Sequence, residues 1–332
     1  MPHKKGKSIP SAGGFPPVFV TPYSGALRLA MLLLMLLAVI SCKKADKREL
    51  ELYVNPATTT PQLQWLQASQ EIENDALLPS ITRKHWRSQA QLHSLMLAGQ
   101  GDFWIGSLDS MAKCRAKGAP VKLLAVTGWR KWSLIGSQNP ANWREAISST
   151  TVFTAPPENP AAPLLVHMIQ KQWIPQPQFQ FCEPKYLALQ MITSKANLAL
   201  TASPMTEAIL TQNDKLSRLI SLEEIKAEAF GGQARIPWAG IGYNEKTVSR
   251  EIAELILSHL LEAEKTLHEM DVDQIVALWP EEYQKNISKE KLQLSLKQDV
   301  ILLIPAPDVK NEILGFFRLA ELPFDGKLSI VH

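Results

Sequence analysis

Short strand-like segments alternate with helix-like segments from residue 48 to residue 221, and this pattern constrains the fold more than any other feature of the chain. Arg48–Val54 shows the two-residue period of a strand, with leucines and a valine on one face. Val121–Thr127 is almost wholly apolar, which is typical of a strand buried on both faces of a parallel sheet. Strands that alternate with helices form right-handed βαβ units. The sequence therefore predicts an α/β fold built on parallel sheets.

The pattern becomes entirely helical after Asn244. Ile252, Leu255, Ile256 and Leu260 recur at the spacing of one face of an amphipathic helix. His259 lies on the same stripe, and we expect it to be a core or boundary histidine rather than a ligand. The chain is thus predicted to end in a helical part.

The N-terminal leader is basic and then apolar from Leu29 to Ile40. This run is shorter than the roughly 18 apolar residues that a membrane-spanning helix needs. It ends in Val39-Ile40-Ser41-Cys42, with an aliphatic residue at −3 and a small residue at −1 before the cysteine. We interpret residues 1–41 as a bacterial lipoprotein signal and Cys42 as the lipid-modified first residue of the mature protein. The alternative is an uncleaved anchor with an incidental cysteine.

Several classes of function have no motif in this chain. HExxH, GxSxG and GxxxxGK[ST] are all missing, and beyond Cys42 only Cys114 and Cys182 remain. Those two cysteines either pair or stay as free thiols, and we expect free thiols. No metal and no cofactor is predicted. The net charge is +3 without a Lys/Arg stripe in the mature part, so we expect no nucleic-acid partner.

Ligands of open α/β sheets bind beyond the carboxyl ends of the strands, where loop amides and helix N-termini converge. In this chain the rule selects five loops, which are Asn55–Thr60, Gly106–Ser110, Thr127–Trp132, Ala155–Pro160 and Ala202–Met205.

A specific resemblance begins at Leu97–Ser137, which reads LAGQGDFWIGSLDSMAKCRAKGAPVKLLAVTGWRKWSLIGS. This stretch resembles the first lobe of the substrate-binding proteins of ABC importers for nitrate, sulfonates, taurine and thiamine precursors. Ala202-Ser203-Pro204, Ile236-Pro237-Trp238-Ala239-Gly240 and Phe324-Asp325-Gly326-Lys327-Leu328 are similar to later motifs of that family, in the same order. The resemblance covers about residues 48 to 330.

The resemblance implies a two-lobed type II periplasmic-binding fold, in which two α/β lobes are joined by two crossover segments and close on a ligand. The crossovers are expected near Leu134–Gln138 and Arg235–Gly240. The predicted organisation is a leader (1–41), a tether (42–47), lobe I (48–134 plus 238–332) and lobe II (135–237).

One turn departs from the family pattern. Many relatives place Gly-Ser or Gly-Thr before the first helix of lobe II, where free amides meet an anion. This chain has Ala155-Pro156-Pro157-Glu158-Asn159-Pro160, and proline has no N–H to donate. We therefore expect an organic ligand rather than a simple oxyanion.

Four tryptophans near predicted strand ends could form an aromatic ligand wall, and core packing is the alternative for each. They are Trp86, Trp104, Trp129 and Trp238. Trp129 is the strongest candidate, because it follows Thr127-Gly128 directly after a buried strand.

The polar candidates come from the same loops. Ser107 and Asp109 either contact the ligand or cap the helix that begins there. Asp109 has a further alternative, which is to pair with a cationic amine of the ligand. For Arg130 and Lys131 the choice is between an acidic ligand group and exposed loop charge. The other polar ligand-binding candidates are Thr58, Thr59, Thr127, Asn159 and Ser203.

The family resemblance implies a solute-binding component of an ABC importer, and not an enzyme, and the leader ending before Cys42 adds a lipid anchor. Its partners would be a small organic solute, the permease and ATPase subunits, and the membrane through the lipid anchor. The expected form is a monomer in the bacterial cell envelope, facing the periplasm or the outside. The alternatives are a sensing or interaction lipoprotein on the same fold, and an enzyme of thiamine-precursor or menaquinone type.

Overall fold

The structure is a computed structural model that describes residues 48–55, 58–137, 139–157, 159–171, 176–231, 235–285, 287–296, 300–324 and 331. The leader, the tether and Cys42 lie outside the described residues.

The strands follow in chain order as β1 Leu50–Val54, β2 Ile81–His85, β3 Phe103–Ser107, β4 Val121–Gly128, β5 Trp132–Gly136, β6 Val152–Thr154, β7 Phe179–Phe181, β8 Leu198–Ala202, β9 Ser217–Ser221, β10 Ala239–Asn244 and β11 Ile304–Pro305.

The helices are α1 Thr59–Asn74, α2 Gln89–Leu97, α3 Leu108–Ala116, α4 Trp143–Ser149, α5 Ala161–Lys171, α6 Pro184–Ile192, α7 Met205–Gln212, α8 Leu222–Phe230, α9 Arg250–Glu269, α10 Val272–Ala277, α11 Glu281–Gln284, α12 Lys289–Leu296 and α13 Lys310–Leu319. No helix in the described part of the chain has the length and apolar character needed to cross a membrane.

The first sheet has six strands in the order β11-β4-β10-β3-β1-β2. β1 is parallel to both β2 and β3, as the strand–helix alternation predicts. β10 lies between β3 and β4 and is antiparallel to both, and β11 is also antiparallel to β4. Val121–Thr127 was expected to pair with parallel strands, and this expectation was wrong, because both of its neighbouring strands run antiparallel to it. The segment is buried, but its neighbours are strands that return from later in the chain.

Small residues let β10 enter the middle of this sheet. A Cβ atom on Gly240 would lie 2.5 Å from the Ala125 carbonyl oxygen and 2.8 Å from Leu123 Cδ1. Opposite the start of β10, a Cβ atom on Gly128 would lie 2.5 Å from the Ala239 Cβ. Larger side chains at these positions would push the strands apart.

The second sheet has five strands in the order β7-β6-β8-β5-β9. β6 is parallel to β7 and β8, whereas β5 is antiparallel to β8 and β9. Because β5 belongs to this sheet, the chain first passes between the sheets at residues 129–131, earlier than the expected 134–138. It passes back before β10, within the second expected segment.

Side chains of the first sheet alternate between two layers of helices. Phe103 and Ile105 face a core that includes α1 and α9, whereas Trp104 faces a core with residues of α2 and α3. The amphipathic face of α9 supplies Ile256 and Leu260 to the first of these cores. His259 is half-buried at the edge of this face, and its Nε2 lies 2.9 Å from Asp75 Oδ2.

One buried carboxylate connects three parts of this half of the molecule. Asp102 is fully buried, and its Oδ1 accepts hydrogen bonds from Arg48 Nη2 at 2.8 Å and from Thr247 Oγ1 at 2.6 Å. Its Oδ2 accepts a bond from the Glu51 amide at 2.9 Å. The carboxylate therefore joins β1 to the turn that follows β10.

Replacing Asp102→Ala is expected to lower the free energy of unfolding by about 3 kcal/mol or more, because it removes three bonds to a buried charge. Urea unfolding followed by circular dichroism measures this loss. The exposed Asp214→Ala is the control and should change stability by less than about 0.5 kcal/mol. Equal effects of the two substitutions would contradict the role given to Asp102.

Candidate functional site

A cavity of about 210 Å³ lies where strand ends of the two sheets meet. Each of the five predicted loops contributes residues to its wall. The rule that ligands bind beyond the carboxyl ends of strands therefore selected the loops that form this cavity. Eight of the ten predicted ligand-binding residues line it, and they are Thr58, Thr59, Trp86, Ser107, Asp109, Asn159, Ser203 and Trp238.

The other two predicted residues, Thr127 and Trp129, are not among the residues that line the cavity. Trp129 is buried in the hydrophobic core, where its Nε1 donates a hydrogen bond to the Leu302 carbonyl at 3.1 Å. The Arg235 guanidinium lies 5.7 Å from the centre of its ring. Trp129 thus packs against later parts of the chain, and its choice as the strongest ligand candidate was wrong. Thr127 is likewise fully buried in β4.

The two segments that pass between the sheets lie side by side at the cavity. The Trp238 amide donates to the Gly128 carbonyl at 2.9 Å, and the Leu108 amide donates to the Trp238 carbonyl at 3.0 Å. On the other side, the Ser203 amide donates to the Lys131 carbonyl at 2.9 Å. Main-chain bonds therefore tie both sheets to the crossing segments.

Sequence reasoning missed several wall residues. Lys131 is half-buried and lines the cavity, and its Nζ donates to Thr60 Oγ1 at 3.0 Å. The prediction that Lys131 is an exposed loop charge was therefore wrong. Gln89, His93 and Lys113 reach the cavity from α2 and α3. Their helices show only weak amphipathic patterning, so the sequence gave no clear signal for them.

Aromatic rings form one part of the wall. Trp86 is buried, and its Nε1 donates to the Ile105 carbonyl at 3.0 Å. The rings of Trp132 and Trp238 lie 6.2 Å apart, and Trp238 also meets Phe316 edge-on at 5.4 Å. Trp86 and Trp238 pack in the hydrophobic core and also line the cavity. Core packing and a place in the cavity wall were given as alternatives for these residues, and both hold.

Ser107 and Asp109 stand at the start of α3. Ser107 is the N-cap residue, but its hydroxyl makes no capping bond and instead donates to Ser110 Oγ at 2.9 Å. Asp109 lies in the first turn and is 4% exposed. Its Oδ2 accepts a bond from Lys113 Nζ at 3.2 Å, whereas its buried Oδ1 has no hydrogen-bond partner among the described residues.

Asn159 caps α5 with its side chain. Its Oδ1 accepts hydrogen bonds from the Ala161 and Ala162 amides, each at 3.1 Å. Its Nδ2 donates to Thr154 Oγ1 at 3.1 Å and to the Pro156 carbonyl at 2.8 Å. The amide group is therefore fully occupied within its own loop, and it shapes the cavity wall.

Glu223 in the first turn of α8 holds a tryptophan of the wall. Its Oε1 accepts a bond from Trp238 Nε1 at 2.7 Å, and the side chain is fully buried. Burial raises the pKa of the Glu223 carboxyl from 4.5 to about 7, and the bond from Trp238 and the charge of Arg130 offset this only in part. Glu223 therefore titrates near neutral pH.

The described residues contain no group of three side chains that could hold a metal ion. Cys114 and Cys182 are free thiols, as predicted. Cys114 is buried, and desolvation raises its pKa to about 11, which makes it a poor nucleophile.

No protein-family model matches this chain, and no curated protein matches it. Among solved structures it is similar to an ABC transporter from Parabacteroides distasonis, with a TM-score of 0.64 and 13% identity over 85% of this chain and 94% of the other. It is also similar to the periplasmic aliphatic sulphonate-binding protein SsuA from Escherichia coli, with a TM-score of 0.63 and 11% identity over 84% and 88% of the two chains. The periplasmic nitrate-binding protein NrtA from Synechocystis gives a TM-score of 0.53 and 12% identity over 73% and 68%.

At identities this low, the similarity concerns the fold. It confirms the predicted two-lobed α/β architecture, and the predicted resemblance to sulfonate- and nitrate-binding proteins holds at the level of fold. The SsuA and NrtA structures are named as binding proteins rather than enzymes. The chain thus has the fold of periplasmic binding components of ABC transporters.

The raised pKa of Glu223 predicts how stability depends on pH. The folded state holds this proton more tightly than the unfolded state, so the contribution of Glu223 is greatest below pH 4.5 and declines as the pH rises to about 7. Glu223→Gln should remove this decline and make the protein roughly 3 kcal/mol more stable at pH 8. Urea unfolding at several pH values measures this dependence of the free energy of unfolding on pH. Glu228→Gln, on the exposed side of the same helix, is the control, and equal pH profiles for wild type and Glu223→Gln would contradict the prediction.

Proposed function

We propose that this protein is the lipid-anchored solute-binding component of an ABC importer, and that it captures a small organic solute between its two lobes. The observation that carries the proposal is the cavity itself, whose wall combines loops from both sheets with both crossing segments. A binding protein needs only such a pocket and a hinge, without bond-breaking chemistry.

The paired crossing segments support a hinge. Among the described residues, 129–131 and 235–238 pass between the sheets, and the bond between the Trp238 amide and the Gly128 carbonyl keeps these two segments together. Rotation about such short neighbouring segments opens and closes a cleft while each sheet keeps its own pairing. Residues on opposite walls, such as Asp109 and Asn159, then move relative to one another.

The size of the cavity supports a small solute. Its volume of about 210 Å³ lies below the roughly 300–1,000 Å³ of pockets for drug-sized ligands. An adjoining cavity of about 610 Å³ shares Lys113, Pro157, Asn159 and Pro160 with it. A solute with a compact head fits the inner cavity, and any extension of it has room towards the outer one.

The partners follow from the proposed role. Permease and ATPase subunits would receive the solute, and acylated Cys42 would hold the protein on the membrane as a monomer facing the periplasm or the outside. Residues 43–47 would then act as a short tether to the folded part.

A screen of sulfonates, pyrimidines, amines and aromatic acids against the full chain in detergent is expected to find a stabilising solute. A solute at 100 times its Kd adds about 2.7 kcal/mol to the free energy of unfolding, which thermal unfolding detects. Ser203→Phe fills the cavity and should abolish the shift, whereas Ser258→Phe on the exposed side of α9 should retain it. No shift with any class would contradict solute capture and favour a sensing or interaction lipoprotein.

Acylation is tested separately. In a bacterial host fed with labelled palmitate, the wild-type chain is expected to take up label and to partition with membranes, because the lipoprotein signal predicted over residues 1–41 makes Cys42 the first mature residue. Cys42→Ser should lose the label, and Cys114→Ser should keep it. Equal labelling of wild type and Cys42→Ser would show that the lipid anchor is not at this cysteine.

A further inference from the structure

One buried carboxyl lies where the two crossing segments meet α8. Glu223 in the first turn of α8 is fully buried, and its Oε1 accepts a hydrogen bond from Trp238 Nε1 at 2.7 Å. Trp238 belongs to the crossing segment 235–238 and lines the cavity. Arg130 belongs to the crossing segment 129–131, and its charge and main-chain amide act on the same carboxyl. Glu223 therefore faces both segments of the hinge, although it does not line the cavity itself.

The surroundings of this carboxyl suit the neutral acid better than the carboxylate. A neutral acid accepts the indole N–H through one oxygen, whereas a carboxylate has two charged oxygens that both need donors. The second oxygen of Glu223, Oε2, is buried and has no hydrogen-bond partner among the described residues. An unpartnered oxygen costs more free energy when it carries charge. Ionisation in this arrangement therefore creates a buried charge with too few donors.

The charged groups nearest to Glu223 offset only part of this cost. Lys226 lies one turn further along α8, and its Nζ donates to the Arg235 carbonyl at 2.8 Å. The Arg235 guanidinium pairs with Glu312 of α13 at 3.3 Å. Both cations therefore have other partners. Desolvation remains the largest influence on the pKa of Glu223, which it raises to about 7.

The other elements packed against α8 also carry charged or titratable groups. Arg144 of α4 and Arg218 of β9 each pair with a carboxylate other than this one. α5 carries His167, which is half-buried, and Lys171, which is exposed. Glu224 of α8 itself completes the cap of that helix. A test of pH effects must therefore change the buried carboxyl alone.

Rotation at the hinge gives the ionised carboxyl access to water. Trp238 contacts the Glu223 carboxyl and the cavity at once. When the crossing segments move and this ring shifts, water from the cavity reaches the carboxylate and hydrates its charge. The neutral acid gains far less from that water, so it favours the closed arrangement. The two protonation states of Glu223 therefore favour different positions of the hinge, and this difference is what coupling requires.

We propose that Glu223 couples proton binding to the hinge: the neutral acid holds Trp238 in the wall of the closed cavity, and ionisation loosens this wall and weakens solute binding. This inference rests on the proposed function, because it assigns a regulation to the same cavity. By linkage, a solute that binds the closed cavity raises the affinity of Glu223 for its proton, so capture takes up protons. Glu223 is a positioning residue, since it acts on the solute only through Trp238.

Benzyl alcohol tests the coupling, because it is flat, has no titratable group and is small enough for a cavity of about 210 Å³. Its Kd is measured by calorimetric titration of the full chain in detergent between pH 5.5 and 8.5. The Kd of the wild type is expected to rise at least fivefold over this range, because ionisation of Glu223 is centred near pH 7.

Two substitutions on α8 assign the effect. Glu223→Gln copies the neutral acid, so its Kd for benzyl alcohol should stay within twofold of the wild-type value at pH 5.5 throughout the range. Glu228→Gln, on the exposed side of the same helix, should keep the wild-type rise. The groups on neighbouring elements are present in both variants, so their titration cannot produce a difference between them.

A second measurement shows whether the carboxyl titrates beside the indole. In chain labelled with 15N-tryptophan, the Trp238 indole signal is identified by its loss in Trp238→Phe. This signal is expected to shift with a midpoint near pH 7 in the wild type and to stay constant in Glu223→Gln. The indole of Trp279, which belongs to a separate core and donates to the Ile287 carbonyl at 3.2 Å, should not shift.

A wild-type Kd that stays constant or falls as the pH rises would overturn the inference, and so would a rise that persists in Glu223→Gln. Absence of benzyl alcohol binding at pH 5.5, or of a titration of the Trp238 signal, would also overturn it. In each case the proposed function stands if the broader solute screen still finds a solute, and only failure of that screen overturns the proposed function as well.

Discussion

The insertion of β10 between β3 and β4 is the constraint on which the rest of the structure depends. β10 follows the second sheet in the chain but pairs in the middle of the first sheet, antiparallel to both neighbours. The absence of a side chain at Gly240 allows this close approach. Because β10 starts beside the end of β4, the two segments that pass between the sheets must lie side by side. The Trp238 amide therefore donates to the Gly128 carbonyl.

The cavity and its chemistry follow from that arrangement. With the crossing segments fixed side by side, the strand ends of both sheets face one another across a small volume. Trp238 lies on the returning segment, and Glu223 of the second sheet's helix α8 orients its ring. The wall thus depends on a buried carboxyl that titrates near pH 7.

Much of this was predictable because local patterns report local structure. The apolar periods located most strands and helices, and the rule that ligands bind beyond strand ends placed eight candidate residues on one wall. The same rule failed for Trp129, because a position after a strand does not determine which side the ring takes. The Trp129 ring instead contacts the Leu302 carbonyl and the Arg235 guanidinium, which are remote in sequence. Lys131 was misjudged for the same reason, since its partner Thr60 is brought to it only by folding.

The sequence by itself determined the two kinds of element, their order, the proline-rich turn without amide donors, and the loops that build the wall. These properties depend on periodicity and on the chemistry of single residues, which short stretches of chain contain. Only the tertiary structure decided the direction of strand pairing and the point of crossing at residues 129–131, and it left Asp109 Oδ1 without a partner among the described residues. These features depend on which segments distant in sequence come to lie side by side, and local patterns do not specify that.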